Sequence, residues 1–148
     1  TFIPLHMAPY MREKDFKRFY WPTFKAYVEA LDARGIGANL FVEHDWMRYL
    51  DYLNELPPLT HMSFEFGDPK LIAEKVGKRH VISGLYPLTL LKTGTKQQCI
   101  DKAKELIDIL APGGQYIFAL DKNLLKARDI NPENLKAVLN FVKEYGKY

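Results

Sequence analysis

The stretch Gly37-Ala38-Asn39-Leu40-Phe41-Val42-Glu43-His44-Asp45 decides the reading of this chain. A short apolar run from Gly37 to Val42 stops at a polar cluster, as a buried strand does when it delivers charged groups at its C-terminal end. Ahead of it, Phe16, Phe19, Tyr20, Phe24, Tyr27, Val28 and Leu31 recur at helical spacing, and Arg34-Gly35 closes that helix. Pro22 inside the stripe predicts a kink or a join between two helical pieces. Behind it, Trp46, Met47, Tyr49, Leu50, Leu53 and Leu56 predict a second helix, stopped by Pro57-Pro58.

The same alternation continues. Thr60 to Phe66 reads as a second strand, and Asp68-Pro69 as an N-cap acid before a proline that opens a helix through Leu71, Ile72 and Val76 to Gly77. His80 to Ser83 reads as a third strand, running into Gly84-Leu85-Tyr86-Pro87. Thr95 and Gln98 form a capping box ahead of Ile100, Ala103, Leu106, Ile107 and Leu110. Pro112-Gly113-Gly114 turns into a fourth strand, Tyr116 to Leu120. Asn131-Pro132 opens a last helix with an inner face of Leu135, Val138, Leu139, Val142 and Tyr145. Each parallel connection needs a crossover, so four consecutive parallel β-α units preceded by a helix predict an α/β fold. A (β/α)8 TIM barrel runs to roughly 250 residues. Residues 1–148 are therefore expected to be a single domain and about half of such a barrel, with a small open sheet as the alternative.

Composition narrows the function. The chain has 148 residues, 47% of them hydrophobic, enough for one core. The net charge of +3 comes from Lys and Arg scattered among Asp and Glu, which gives no basic stripe for nucleic acid. No apolar run approaches the roughly 20 residues of a membrane span. Cys99 is the only cysteine, so no internal disulfide forms and a cytoplasmic location is expected. Thr1 at the start and the short Phe2-Ile3-Pro4-Leu5 run predict a cut start rather than a secretory leader. No Gly-rich strand-to-helix loop, P-loop or Gly-x-Ser-x-Gly elbow occurs.

In parallel sheets of this kind, function collects beyond the C-terminal ends of the strands. That rule picks Glu43, His44 and Asp45 after the first strand. Glu43 with His44 offers an acid/base pair or two metal ligands; the plainer alternative is an Asp45 cap beside a solvated His44 and Glu43. Glu65 ends the second strand, either as a site carboxylate or as an outward charge, and Asp68 reads as a helix cap. Tyr86 follows the third strand, lining a pocket or packing. Asp121, Lys122 and Asn123 follow the fourth, as site or as solvated tip. His6 would face the same end if its segment follows a strand, whereas His61 and His80, at strand starts, are expected to be structural. Cys99 sits within a helix stripe, where packing is expected of it.

Phe16-x-x-Phe19-Tyr20-Trp21-Pro22 comes first, then the strand ending in Glu43, then Leu56-Pro57. Gly84-x-x-Pro87-x-x-Leu90-Leu91-x-x-Gly94-Thr95 comes next. Gly113-Gly114-Gln115-Tyr116-Ile117, Asn131-Pro132-Glu133-Asn134-Leu135 and Glu144-Tyr145-Gly146-x-Tyr148 complete the series. In this order and spacing the set resembles the C-terminal half of the uroporphyrinogen decarboxylase superfamily, which spans heme-pathway decarboxylases and corrinoid-dependent methyltransferases.

The resemblance implies a (β/α)8 barrel whose N-terminal half is missing here, so the isolated chain is expected to be inactive. Its expected partners are that half or a second copy of itself. The decarboxylases carry Gly-His-Gly where this chain has Asp121-Lys122-Asn123. The zinc methyltransferases carry His-x-Cys where it has Phe41-Val42-Glu43, so a zinc site would lack cysteine ligands, with Glu43 and His44 the candidate metal ligands. The nearer likeness is to members with a Glu at that strand end, associated with moving a methyl group from an ether oxygen to a corrinoid on a partner protein. That implies Glu43, His44 and Glu65 as catalytic residues and His6, Tyr86, Asp121 and Lys122 as substrate contacts. A porphyrinogen decarboxylase and a non-catalytic half-barrel binding or assembly module are the alternatives.

Overall fold

The computed structural model describes residues 1–147. Its centre is one sheet of five parallel strands: β1 (Phe2–Leu5), β2 (Asn39–Val42), β3 (His61–Phe64), β4 (Val81–Tyr86) and β5 (Tyr116–Leu120). Their order across the sheet is their order along the chain. One strand more is present than the sequence pattern predicts. Phe2-Ile3-Pro4-Leu5 hides because proline interrupts it, but an edge strand tolerates proline, and Pro4 stands in register with Phe41. The expected helix before the first unit is thus the crossover from β1 to β2.

Sequential order has a consequence. Crossovers between parallel neighbours are right-handed, so adding strands always on the same side puts every connecting helix on one face. Burial agrees: Leu40, Val42, Met62 and Phe64 are fully buried, while the alternate residues Asn39, Phe41, His61 and Ser63 are partly exposed on the other face. This is an α/β half-barrel, with helices outside and a concave inner face.

The helices follow local chemistry. α1 (Glu13–Asp15) runs through a π-wound turn, Phe16–Tyr20, into α2 (Trp21–Asp32). Pro22 lies in the first turn of α2, and its missing N–H explains the wide turn before it. The second expected helix is short: a 3-10 turn, Met47–Tyr49, then α3 (Leu50–Leu53). α4 (Pro69–Lys75) is capped by Asp68, which accepts from the Lys70 and Leu71 amides. α5 (Leu88–Thr93), absent from the sequence reading, starts right after Pro87. α6 (Lys96–Leu110) opens with the Thr95–Gln98 capping box, and α7 (Pro132–Tyr145) with the Asn131 cap. Among the described residues, no helix is long and apolar enough to cross a membrane.

Helical periodicity overstates two inner faces. Phe19 and Tyr27 were expected inside, yet they are 60% and 51% exposed; Leu139 is 54% exposed. Buried Asn134 instead locks α7, its Nδ2 donating to the carbonyls of Leu91 (3.0 Å) and Gly94 (2.8 Å).

Gly84 carries one sharp constraint. It has φ +86°, and a Cβ built there would stand 2.2 Å from the Phe64 carbonyl oxygen of the neighbouring strand. Gly84→Ala is expected to destabilise the fold by at least about 2 kcal/mol, because strain and a backbone clash add. Denaturant unfolding of the variant checks this; an unchanged midpoint would refute the close approach.

Candidate functional site

The C-terminal ends of the strands carry the charged groups. The loop after β1 holds His6 and then a 3-10 turn, Ala8–Tyr10. Arg48 ties this loop down, its Nη2 donating to the carbonyls of Pro9 (2.6 Å) and Met11 (2.8 Å). The Tyr49 hydroxyl also donates to the Met11 carbonyl, at 3.0 Å. So held, His6 meets Glu43 at the end of β2, its Nδ1 in contact with a carboxylate oxygen.

The next residue turns back. His44 has φ +61°, which aims its backbone N–H at Glu65 Oε2, 3.0 Å away. Lys122 Nζ, after β5, donates to Glu65 Oε1 at 3.1 Å. His44 Nδ1 stands 3.9 Å from Glu65 Oε2, and its Nε2 lies 3.3 Å from the Tyr10 hydroxyl. One carboxylate thus joins the ends of β2, β3 and β5 across β4.

The electrostatics separate the two acids here. The His44 amide, with Lys122 assisting, holds the Glu65 carboxyl below its ordinary pKa, so it stays ionised. The Glu65 carboxylate in turn holds the Lys122 ammonium above its ordinary value. Asp121 is displaced the other way: burial raises its carboxyl, although it accepts from the Leu88 amide at 3.0 Å. Both acids line one open cavity of about 380 Å3, with His44, Asp45, Phe66 and Lys122.

His6, Glu43, His44, Glu65, Asp121 and Lys122 therefore all reach this end of the sheet. Tyr86 ends β4 at the same level but not in the cleft: it is fully buried, and its hydroxyl donates to the Cys99 carbonyl at 2.9 Å. Asp45 is a cap, accepting from the Met47 amide at 2.9 Å. His61 and His80 lie at the opposite, strand-start end. Glu43 and His44 engage different partners, and among the described residues no group of three or more His, Cys, Asp or Glu is placed to hold a metal ion. Buried Cys99 donates its Sγ hydrogen to the Leu90 carbonyl. Tyr10 and Arg48 are contributors the sequence reading missed; Arg48 looks like an ordinary helix-surface charge until the loop above it is seen.

The family model for uroporphyrinogen decarboxylase (URO-D) matches residues 5–145, nearly the whole chain. The chain belongs to the uroporphyrinogen decarboxylase family. Its five-stranded sheet is a half-barrel of the uroporphyrinogen decarboxylase fold. No curated protein matches the chain.

Proposed function

We propose that the chain is part of a methyltransferase of the uroporphyrinogen decarboxylase family, moving a methyl group from an ether oxygen to a corrinoid carried by a partner protein. One observation carries this reading: Asp121 and Glu65 share a cavity with their pKa values displaced in opposite directions. Such a split separates a proton donor from a fixed charge. Asp121-Lys122-Asn123, in place of the decarboxylases' Gly-His-Gly, points the same way.

The chemistry asks for both groups. Breaking an ether C–O bond leaves the electron pair on oxygen, and that oxygen needs a proton. Protonated Asp121 supplies it, while ionised Glu65 holds Lys122 over the cavity, where its charge stabilises the developing oxyanion. The His6–Glu43 pair is a second acid/base group at the neighbouring strand ends. The corrinoid would supply the cobalt that accepts the methyl group. The Glu43–His44 pair does not form a ligand set for zinc, and no step runs through a metal. A polypeptide that completes the barrel, its N-terminal half or a second copy of this chain, is the proposed structural partner.

The test uses the completed barrel with reduced cobalamin and anisole as probes. Methylcobalamin formation is expected, slowed about 10²–10⁴-fold in Asp121→Asn. Carbon dioxide release from uroporphyrinogen instead would make the protein a decarboxylase; neither activity would make it a binding or assembly module.

A further inference from the structure

Below the charged rim, the concave face changes character. Inward positions of a closed barrel are filled chiefly by branched apolar side chains. Here Asn39 and His61 stand side by side at one level, and Phe41, Ser63, Ser83 and Ile117 at the next. His61 Nε2 lies 2.7 Å from Ser83 Oγ, and Ser83 is only 2% exposed. Asn39 Oδ1 is shielded from solvent and has no hydrogen-bond partner. These residues line a cavity of about 220 Å3 that reaches from Phe2 to Lys122, and so continues into the rim site. The Phe2 and Phe41 rings stack within it, centroids 6.3 Å apart, as an apolar wall.

We infer that Asn39, His61 and Ser83 form a subsite, deeper than Lys122 and Glu65, that takes an uncharged hydroxyl-bearing end of the ligand. The inference rests on the rim being the site, and not on which reaction occurs there. Asn39 Oδ1 needs a donor, and the His61–Ser83 pair can exchange a proton for either role with a hydroxyl. Lys122 is the only Lys, Arg, Asp or Glu lining the cavity, and it sits at the upper end, tied to Glu65. A charged end would lose its hydration with no counter-charge beside it. A bare hydrocarbon would leave the Asn39 oxygen unpaired. Burial also lowers the His61 pKa, so the ring is neutral near pH 7.

Three probes of one ring test this on the chain as it stands: phenol, toluene and benzoate, followed by NMR of the His61 ring. Phenol is expected to shift those resonances saturably and to bind about tenfold or more tighter than either other probe. His61→Leu and Asn39→Leu should each remove that preference while toluene still binds, which shows that the cavity survives the substitution. Equal binding of all three, benzoate binding as tight as phenol, no saturable shift with any probe, or a phenol preference that outlives both substitutions would overturn the subsite. No methyl transfer is measured, so this result and the test of the proposed reaction fail independently.

Discussion

Acidification from about pH 7 to about pH 4 should remove roughly 3 kcal/mol of stability through His80 alone. His80 has no exposed surface and sits at the turn into β4. Burial drives its pKa down to about 4, with the Arg79 cation adding to the shift. Neither ring nitrogen has a hydrogen-bond partner of ordinary geometry, though the Asn54 backbone lies close enough to oppose the shift in part. The sign follows directly. As pH falls below about 6.5 the unfolded chain takes up a proton that the folded chain refuses. The contribution is therefore complete above that value, declines toward pH 4, and is gone below it. Urea unfolding at several pH values measures this, on the native chain and on His80→Leu. The window from about pH 6.5 to 5 is the informative one, because ordinary carboxylates titrate lower. The variant should lack the native chain's decline there, whatever its own absolute stability. Parallel profiles would mean that His80 is not held neutral by burial.

The structure explains why some elements were readable and others not. Strands flanked by turn residues and helices with caps are local statements, and Asp68, Thr95 and Asn131 cap as their sequences say. β1 was missed because its evidence is non-local: Pro4 argues against a strand until β2 is seen alongside it. Phe19, Tyr27 and Leu139 fit a helical stripe, but periodicity does not say whether a stripe meets a neighbour or an open flank. The site behaves the same way. Strand-end position picked out Glu43, His44, Glu65, Asp121 and Lys122, since parallel strands bring their C-terminal ends together. It could not separate the roles of Glu65 and Asp121, which depend on a left-handed His44 and on burial. Tyr86 shows the limit, because alternation along β4 sends its ring into the helix layer.

Alone at micromolar concentration, the chain is expected to self-associate. β1 and β5 each pair on one side only, and an open strand edge recruits another chain. The placement of exposed apolar side chains agrees. Among the described residues, the large exposed hydrophobics on α-helices and the π-wound turn are Phe19, Tyr27, Leu139 and Tyr145. They fall on the first long helix and on the last one, and on none of α3 to α6 between them. Inner helices are covered by neighbours on both sides; the two flanking helices are not. An eight-stranded barrel would add three more units against these flanks. Without them, a second copy can cover the same surfaces. Exposed aromatics at the centre of such a contact each contribute about 1–2 kcal/mol. Phe19→Glu with Tyr27→Glu should therefore weaken association about tenfold or more, with the circular dichroism of the fold unchanged, since neither side chain packs in the core. Sedimentation of the native chain and the double variant decides the matter. A native chain that stays monomeric at about 10 μM would show that one-sided strands and bare flanking helices are tolerated in water, and the need for a completing partner would fall with it.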